Sequence, residues 1–269
     1  MRIKTRMSQL NSWIGCEGLG MTYKDELELE APRGKAAHTG SAIGKAIELF
    51  HLAQLDGKDV TLGSLMTRTK IESEDRPDPW EKADWNKVEA TLSAYINDER
   101  NAITVIPEVK VNLVLERPAG TVEISGTFDQ VRVHGNVATI WDLKNGVKKG
   151  EEMKADYWPQ LFGYAYAFML GQYTLDTKLP RELRRTLAVC QPMLGGIIRL
   201  LEYTKPLPRA GQKVFYHMNH DMKTIERMLE RIADRMLEVR QGHSAPILRP
   251  SYHCWWCPHK NISVCSKLV

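Results

Sequence analysis

The chain has 269 residues, long enough to bury a sizeable core as one large domain or as a domain with an appendage. With 43% hydrophobic and 26% charged residues its composition is ordinary for a soluble globular protein. A net charge of +4 permits contact with an anionic partner without arguing for one, so any basic groove must be local.

At the N-terminus, "MRIKTRMSQLNSWIGC" has basic residues but no apolar stretch after them, which argues against a secretory signal. No segment reaches the apolar length of a bilayer span. The expectation is a cytoplasmic protein with no membrane partner. There is no internal repeat and no low-complexity run.

Residues 40–54 place Ile43, Ala46, Ile47 and Phe50 at i, i+3, i+4, i+7 spacing, which predicts an amphipathic helix. Residues 56–79 mix glycine, charge and "RPDP" and read as a surface connection. Helical spacing returns from Trp80 to about Asp98. Three strands are expected at 103–116, 121–134 and 137–145, then a helix around 156–170 and strands at 186–191 and 196–203. A long helix is expected at about 213–240, with Met218, Met222, Ile225, Leu229, Ile232, Met236 and Val239 as a core-facing stripe rather than a coiled-coil seam. Strands enclosed by helices make an α/β or α+β domain.

Gly135-Asn136 suits a two-residue hairpin turn, which pairs His134 with Val137 and, counting outward, sets Asp129 opposite Asp142. A bulge near Gly126 would shift that register. Directly opposed residues have Cβ atoms roughly 4.5–5.5 Å apart, and like charges so placed destabilise a sheet unless compensated. A divalent cation such as Mg²⁺ or Mn²⁺ is the natural compensation. Lys144, two residues beyond Asp142, falls on the same strand face. Two carboxylates and an ammonium suit phosphodiester hydrolysis, in which a metal polarises the phosphate and lysine orients the water. The alternative is an exposed strand edge, where an Asp and a Lys two apart are common.

Glu108, on the preceding strand, is either a third metal ligand or a solvated strand glutamate. Gln160 and Tyr164 lie one helical turn apart. They either meet a nucleotide or belong to an ordinary helix with one aromatic at the core boundary.

In order, "GSAIG" with a following glutamate, "GTFD", "WDLKNG" and "QLFGY" resemble the RecB-type branch of the PD-(D/E)XK nuclease superfamily. The resemblance spans roughly residues 38–170. It implies a restriction-endonuclease-like core, a mixed sheet flanked by helices, over about 38–205. It makes Asp129 and Asp142 metal ligands, Lys144 the catalytic lysine, and Gln160 and Tyr164 nucleic-acid-contacting or supporting residues. Where the family carries a histidine this chain has Gly44. His38, His51 or Glu48 are the candidate substitutes; otherwise carboxylates and water suffice, or activity has been lost.

Five cysteines are an odd number, and Cys254, Cys257 and Cys265 crowd the C-terminus as C-x2-C-x7-C. Three thiolates need a fourth ligand, for which His253, His259 and Cys16 are candidates. Zinc accepts three cysteines and a histidine, whereas a [4Fe–4S] cluster prefers four thiolates. The opening "SQLNSWIGC" resembles that of nucleases with one early and three late cysteines around an iron–sulfur cluster, such as the four-cysteine CRISPR-associated exonucleases and the AddAB-type nuclease domain. That resemblance implies a structural cluster on Cys16, Cys254, Cys257 and Cys265. It would tie the N-terminus to a tail within one domain of residues 1–269, residues 206–269 supplying long helix and tail. Glu17 in place of the usual proline keeps zinc as an alternative. Cys190 reads as a core residue, and Trp255 and Trp256 as a cover over the cluster rather than a base-stacking pair.

The expectation is therefore a Mg²⁺- or Mn²⁺-dependent deoxyribonuclease, an exonuclease on single strands or duplex ends. The resemblance implies DNA as substrate and repair, recombination, phage replication or CRISPR adaptation as contexts, with recombination, helicase or CRISPR adaptation proteins as partners. The competing readings are a non-catalytic nucleic-acid-binding protein on the same scaffold and a zinc-ribbon structural protein.

Overall fold

A computed structural model describes residues 1–17, 34–75, 82–99, 104–145, 158–175, 179–200, 213–215 and 222–247; for 98–99, 144–145, 158, 191–200, 213–215 and 222 it describes the backbone alone. The elements run β1 (Arg2–Arg6), α1 (Gln9–Gly15), α2 (Lys35–Leu55), α3 (Leu62–Glu74), α4 (Trp85–Glu99), β2 (Thr104–Arg117), β3 (Gly120–His134) and β4 (Val137–Asn145). There follow α5 (Trp158–Met169), β5 (Tyr173–Thr174), α6 (Arg181–Val189), β6 (Gln191–Leu200), β7 (Lys213–Phe215) and α7 (Met222–Arg240). They form a mixed α/β fold around one seven-stranded sheet, ordered β5-β2-β3-β4-β6-β7, with β1 added parallel to β3. Among the described residues no helix is long and apolar enough to cross a membrane.

The hairpin follows the register that its turn dictates. Gly135 takes a positive φ of 59°, and His134 pairs with Val137, Arg132 with Thr139 and Gln130 with Trp141. No shift occurs at Gly126, which pairs with Val111 in a β2–β3 ladder that keeps one register from end to end.

Three expectations are corrected. Residues 56–79 are not a plain connection, because Leu62–Glu74 form α3. Its Thr61 N-cap side chain accepts from the Ser64 N–H at 3.2 Å, and Leu65, Met66 and Thr69 are buried. The strand expected at 186–191 is instead the end of α6, which starts after Pro180 with Glu182 in its first turn. The helix expected from 213 begins at Met222, and Lys213–Phe215 pair with β6 as a short antiparallel edge strand. Met218 lies outside the described residues. Ile225, Leu229, Met236 and Val239 are buried in the core, as a core-facing stripe requires.

The sheet separates two apolar layers. One joins β1–β4 to α1, α5 and α7 around Leu113, Ile124, Phe128, Leu229 and Met236. The other packs Trp141 against α2, α3 and α4 through Ile43, Ile47, Leu65 and Leu92. Cys190 is buried in the first layer, and burial pushes its thiol pKa up, which suits a core side chain.

A candidate active site where two strands part

One edge of β3 is shared between two partners. β1 pairs with Thr121–Ser125 and β4 with Gln130–His134, so among the described residues Gly126–Asp129 have no strand beside them on that edge. Met7 N–H closes the β1 side with a 2.7 Å bond to the Ser125 carbonyl before the chain turns into α1. Gly126 permits the closure, since a Cβ there would lie 2.8 Å from Met7 Cβ and 2.9 Å from Tyr164 Cε1. The gap opens into a cavity of about 630 Å³ bordered by Arg6, Ser8, Lys110, Thr127, Asp129, Asp142, Leu143, Gln160 and Tyr164.

The gap is acidic at one end. The β3–β4 ladder stops at Gln130–Trp141, one pair short of Asp129 and Asp142, and there the Asp129 carboxylate accepts the Leu143 N–H. Asp142 is 4% exposed. On the other side Pro107 pairs with Gln130 and Val109 with Phe128, which leaves Glu108 opposite Asp129. Glu108 has φ 53°, a left-handed conformation that costs a non-glycine residue about 1–3 kcal/mol.

The same pairs mark a break in alternation. Ile106 and Val109 on β2, and Phe128 and Val131 on β3, all join the first core layer, so two residues rather than one separate successive core positions on each strand. Both strands slip together and register survives. The acidic pair Glu108 and Asp129 occupies the slip.

Gln160 and Tyr164 form the cavity's back wall. Gln160 Nε2 donates to the Tyr164 hydroxyl at 3.2 Å, and that hydroxyl donates to the Thr127 carbonyl at 2.9 Å, satisfying a group on the unpaired edge. Asn11 of α1 fixes Gln160 through two 3.2 Å bonds, one to its side chain and one from its backbone. Burial first, then the charges of Asp142, Asp129 and Glu108, push the Tyr164 phenol well above its usual range, against the lowering effect of Gln160. All three carboxylates therefore act on one buried phenol. Asn11, Thr127, Ser8, Arg6 and Lys110 escaped the sequence reading. The alternation of Arg2, Lys4 and Arg6 with Ile3, Thr5 and Met7 was the available signal for β1.

Lys144 lies on β4 two residues past Asp142, its backbone paired with Arg199 of β6; its side chain is outside those described. Cys16 caps the end of α1 and is partly exposed, whereas Cys254, Cys257 and Cys265, like His253, His259, Trp255 and Trp256, lie outside the described residues. His38 is inside α2 rather than ahead of it, and buried. His51 is committed elsewhere, bonded to Gln54 at 2.9 Å and to the Tyr95 hydroxyl at 2.7 Å, and Glu48 pairs with Lys45 at 3.0 Å. None of the three borders the cavity. Among the described residues no three His, Cys, Asp or Glu side chains are gathered into a ready-made metal cage.

Behind the acids, on the α2–α4 side, runs a buried polar network. The Tyr95 hydroxyl meets His51 and, at 2.7 Å, Gln130 Nε2, while Gln130 Oε1 accepts from Arg132 at 3.0 Å. The Arg132 guanidinium lies 5.5 Å from the Trp141 ring. Gln130 adjoins Asp129, and Trp141 adjoins Asp142.

The described residues thus form a mixed sheet flanked by helices, with Glu108, Asp129 and Asp142 placed where its strands part. A profile of the PD-(D/E)XK nuclease superfamily matches residues 16–265, and the chain belongs to that superfamily, whose members are typically metal-dependent nucleases. None of the curated proteins compared matches the chain. Among solved structures, the crystal structure of SSO0001 is similar over 91% of this chain and 94% of its own, at 12% identity and a TM-score of 0.37.

Proposed function

We propose that the chain is a Mg²⁺- or Mn²⁺-dependent deoxyribonuclease, working as an exonuclease in DNA processing such as repair, recombination, phage replication or CRISPR adaptation. The observation that carries the reading is Asp129 and Asp142 on one cavity, with Glu108 in register beside Asp129. Mg²⁺ is commonly held by one or two carboxylates and completed by water and substrate phosphate, so this donor set fits without a preformed cage. When bound, the ion supplies a polarised phosphoryl oxygen and a more acidic water. Asp129 and Asp142 would hold it, with Glu108 as a third ligand. The Leu143 N–H keeps the Asp129 carboxylate oriented. Lys144 would orient the attacking water and offset charge developing on the phosphate. Gln160 and Tyr164, buried and hydrogen-bonded, support the wall rather than touch the strand.

The deciding experiment is cleavage of end-labelled single- and double-stranded DNA with Mg²⁺ or Mn²⁺ by wild type and Lys144→Ala. Cleavage lost in the variant supports the reading. No wild-type cleavage in either metal, with DNA binding kept, overturns it in favour of a catalytically inactive DNA-binding protein. One observation favours that second reading: a Cβ at Gly44 would have nothing within 4 Å, so room exists there for a side chain the chain lacks.

We also propose that Cys16, Cys254, Cys257 and Cys265 bind a structural [4Fe–4S] cluster, with zinc as the alternative, closing residues 1–269 into one domain. Support comes from Glu17, next to Cys16. Its N–H donates to the Ile247 carbonyl at 3.1 Å, its carboxylate accepts the Ile247 N–H at 2.7 Å, and Arg235 holds it at 2.8 Å. The Cys16 segment is thus clamped to the chain that leads into the cysteine tail. Brown colour and iron in anaerobically purified protein, lost in Cys16→Ser, support the cluster; colourless protein carrying zinc overturns it.

A further inference from the structure

Among the described residues two cations border the same cavity as the acids. Arg6 ends β1 and Lys110 lies on β2; both are exposed, and neither side chain has an ion pair or hydrogen bond among the described residues. Ser8 is exposed beside them, and its hydroxyl does not cap α1. Unused charges at the mouth of a cleft attract an anion, and exposed cations bordering the buried Asp142 and the half-buried Asp129 give the cavity two ends of opposite sign.

Register fixes how those ends are arranged. Arg6 pairs with Ser125 and Lys110 with Thr127, while the acids start at Asp129. Ser125 to Asp129 is four residues along β3, about 13 Å at roughly 3.3 Å per residue. Thr127, opposite Lys110, is half that distance away, and since a duplex strand carries a charge about every 3.4 Å along its axis both cations lie within a few phosphates of the acids.

We infer that Arg6, Lys110 and the Ser8 hydroxyl form a phosphate-binding rim that holds the sugar–phosphate backbone of a DNA strand a few nucleotides from the bond at Asp129 and Asp142. The inference rests on the nuclease reading for the position of that bond. The rim recognises backbone and not bases. Among the described residues the one aromatic ring bordering the cavity is Tyr164, which is 3% exposed and offers no stacking surface. Among the described residues the other polar groups on the rim side are hydroxyls and cations, the groups that most often contact phosphate.

The test is fluorescence anisotropy of 5′-labelled single-stranded DNA, one oligothymidine and one of mixed sequence, in Ca²⁺ buffer between 50 and 200 mM salt. The proteins are wild type, R6Q/K110Q, R6K/K110R, and R181Q/R185Q as an equal charge loss on exposed α6. For R6Q/K110Q the slope of log affinity against log salt should shrink by about 1.4, twice the roughly 0.7 of one single-strand phosphate contact, with affinity down on the order of tenfold. Both oligonucleotides should be affected equally, R6K/K110R should keep the wild-type slope, and R181Q/R185Q should match wild type. Thermal melting reports whether each variant folds, and both rim positions are exposed, so folding should hold. Equal slopes for R6Q/K110Q and R181Q/R185Q would overturn the rim, as would a loss confined to one oligonucleotide. Mg²⁺ cleavage assays on the same proteins separate the two readings. Cleavage with no slope change removes the rim alone; a slope change without any wild-type cleavage removes the nuclease and leaves the rim.

Discussion

The two faces of the sheet are built by different forces. Toward α5 and α7 the layer is mostly apolar, with Ile124, Phe128, Val131 and Leu229 fully buried and the hydrogen-bonded Gln160 and Tyr164 at the cavity wall. Toward α2–α4 an apolar cluster around Trp141 is joined by the buried His51, Gln130 and Arg132 and the Tyr95 hydroxyl. Apolar packing is strong but non-directional. Buried hydrogen bonds contribute little net energy but fix orientation and are costly to leave unmade. The face with directional bonds is attached to Gln130 and Trp141, the neighbours of the two acids, so the first face should govern stability and the second the placement of the carboxylates.

The largest expected effect tests the first half of that contrast. Leu229→Ala should cost about 2–5 kcal/mol in chemical denaturation while leaving cleavage per folded molecule unchanged. Tyr95→Phe should cost less, about 1–3 kcal/mol, because His51, Gln130 and Arg132 lose a shared hydroxyl. It should also lower the cleavage rate at saturating DNA, which Leu229→Ala should not. Equal rates for both variants would break the comparison.

Tyr164→Phe should cost about 1 kcal/mol by removing the bond to the Thr127 carbonyl. Its alkaline behaviour sharpens the point. The phenol is raised in the folded state, so its contribution is fully present below the unfolded value near 10 and is lost as pH rises beyond it. Melting temperature of the wild type should fall more steeply above pH 10 than that of Tyr164→Phe.

The smallest effect lies away from both faces. Arg117 donates to Asp234 through two 2.8 Å bonds and also pairs with Glu230. The Arg117 hydrogen bond holds the Asp234 carboxyl below its usual range. That contribution is present above the unfolded value near 4 and lost as pH falls through the lowered folded value. With the Asp234 side chain 41% exposed, solvent screening should keep Arg117→Met under about 1 kcal/mol at neutral pH, vanishing in acid when followed by urea unfolding.

Much of this was legible because it is local. The β3–β4 hairpin follows from a two-residue turn and a period of two, and those rules alone set Asp129 against Asp142. Short apolar runs misled: "TLAVC" fits strand or helix end equally, and Pro180 and Glu182 were the better guide to α6. Thr61 likewise signalled α3 through its cap. The left-handed Glu108 had a hint in Pro107, since proline inside a strand is found at edges and bulges. The gap itself had none, because no local pattern states that β1 and β4 divide one edge of β3.

That division has a consequence for how the site comes into being. β1 precedes the other described strands, yet its partner is the start of β3, Ser125 bonding to Thr5 across 120 residues. Pairings of such separation close late, after hairpins such as β3–β4 have formed. A chain caught at that stage would hold Asp129 and Asp142 on a bare strand edge, with neither the Met7 turn nor Arg6 in place. Assembly of the wall, not of the acids, is then the slow step toward a competent molecule, and refolding monitored by DNA binding should lag refolding monitored by sheet content.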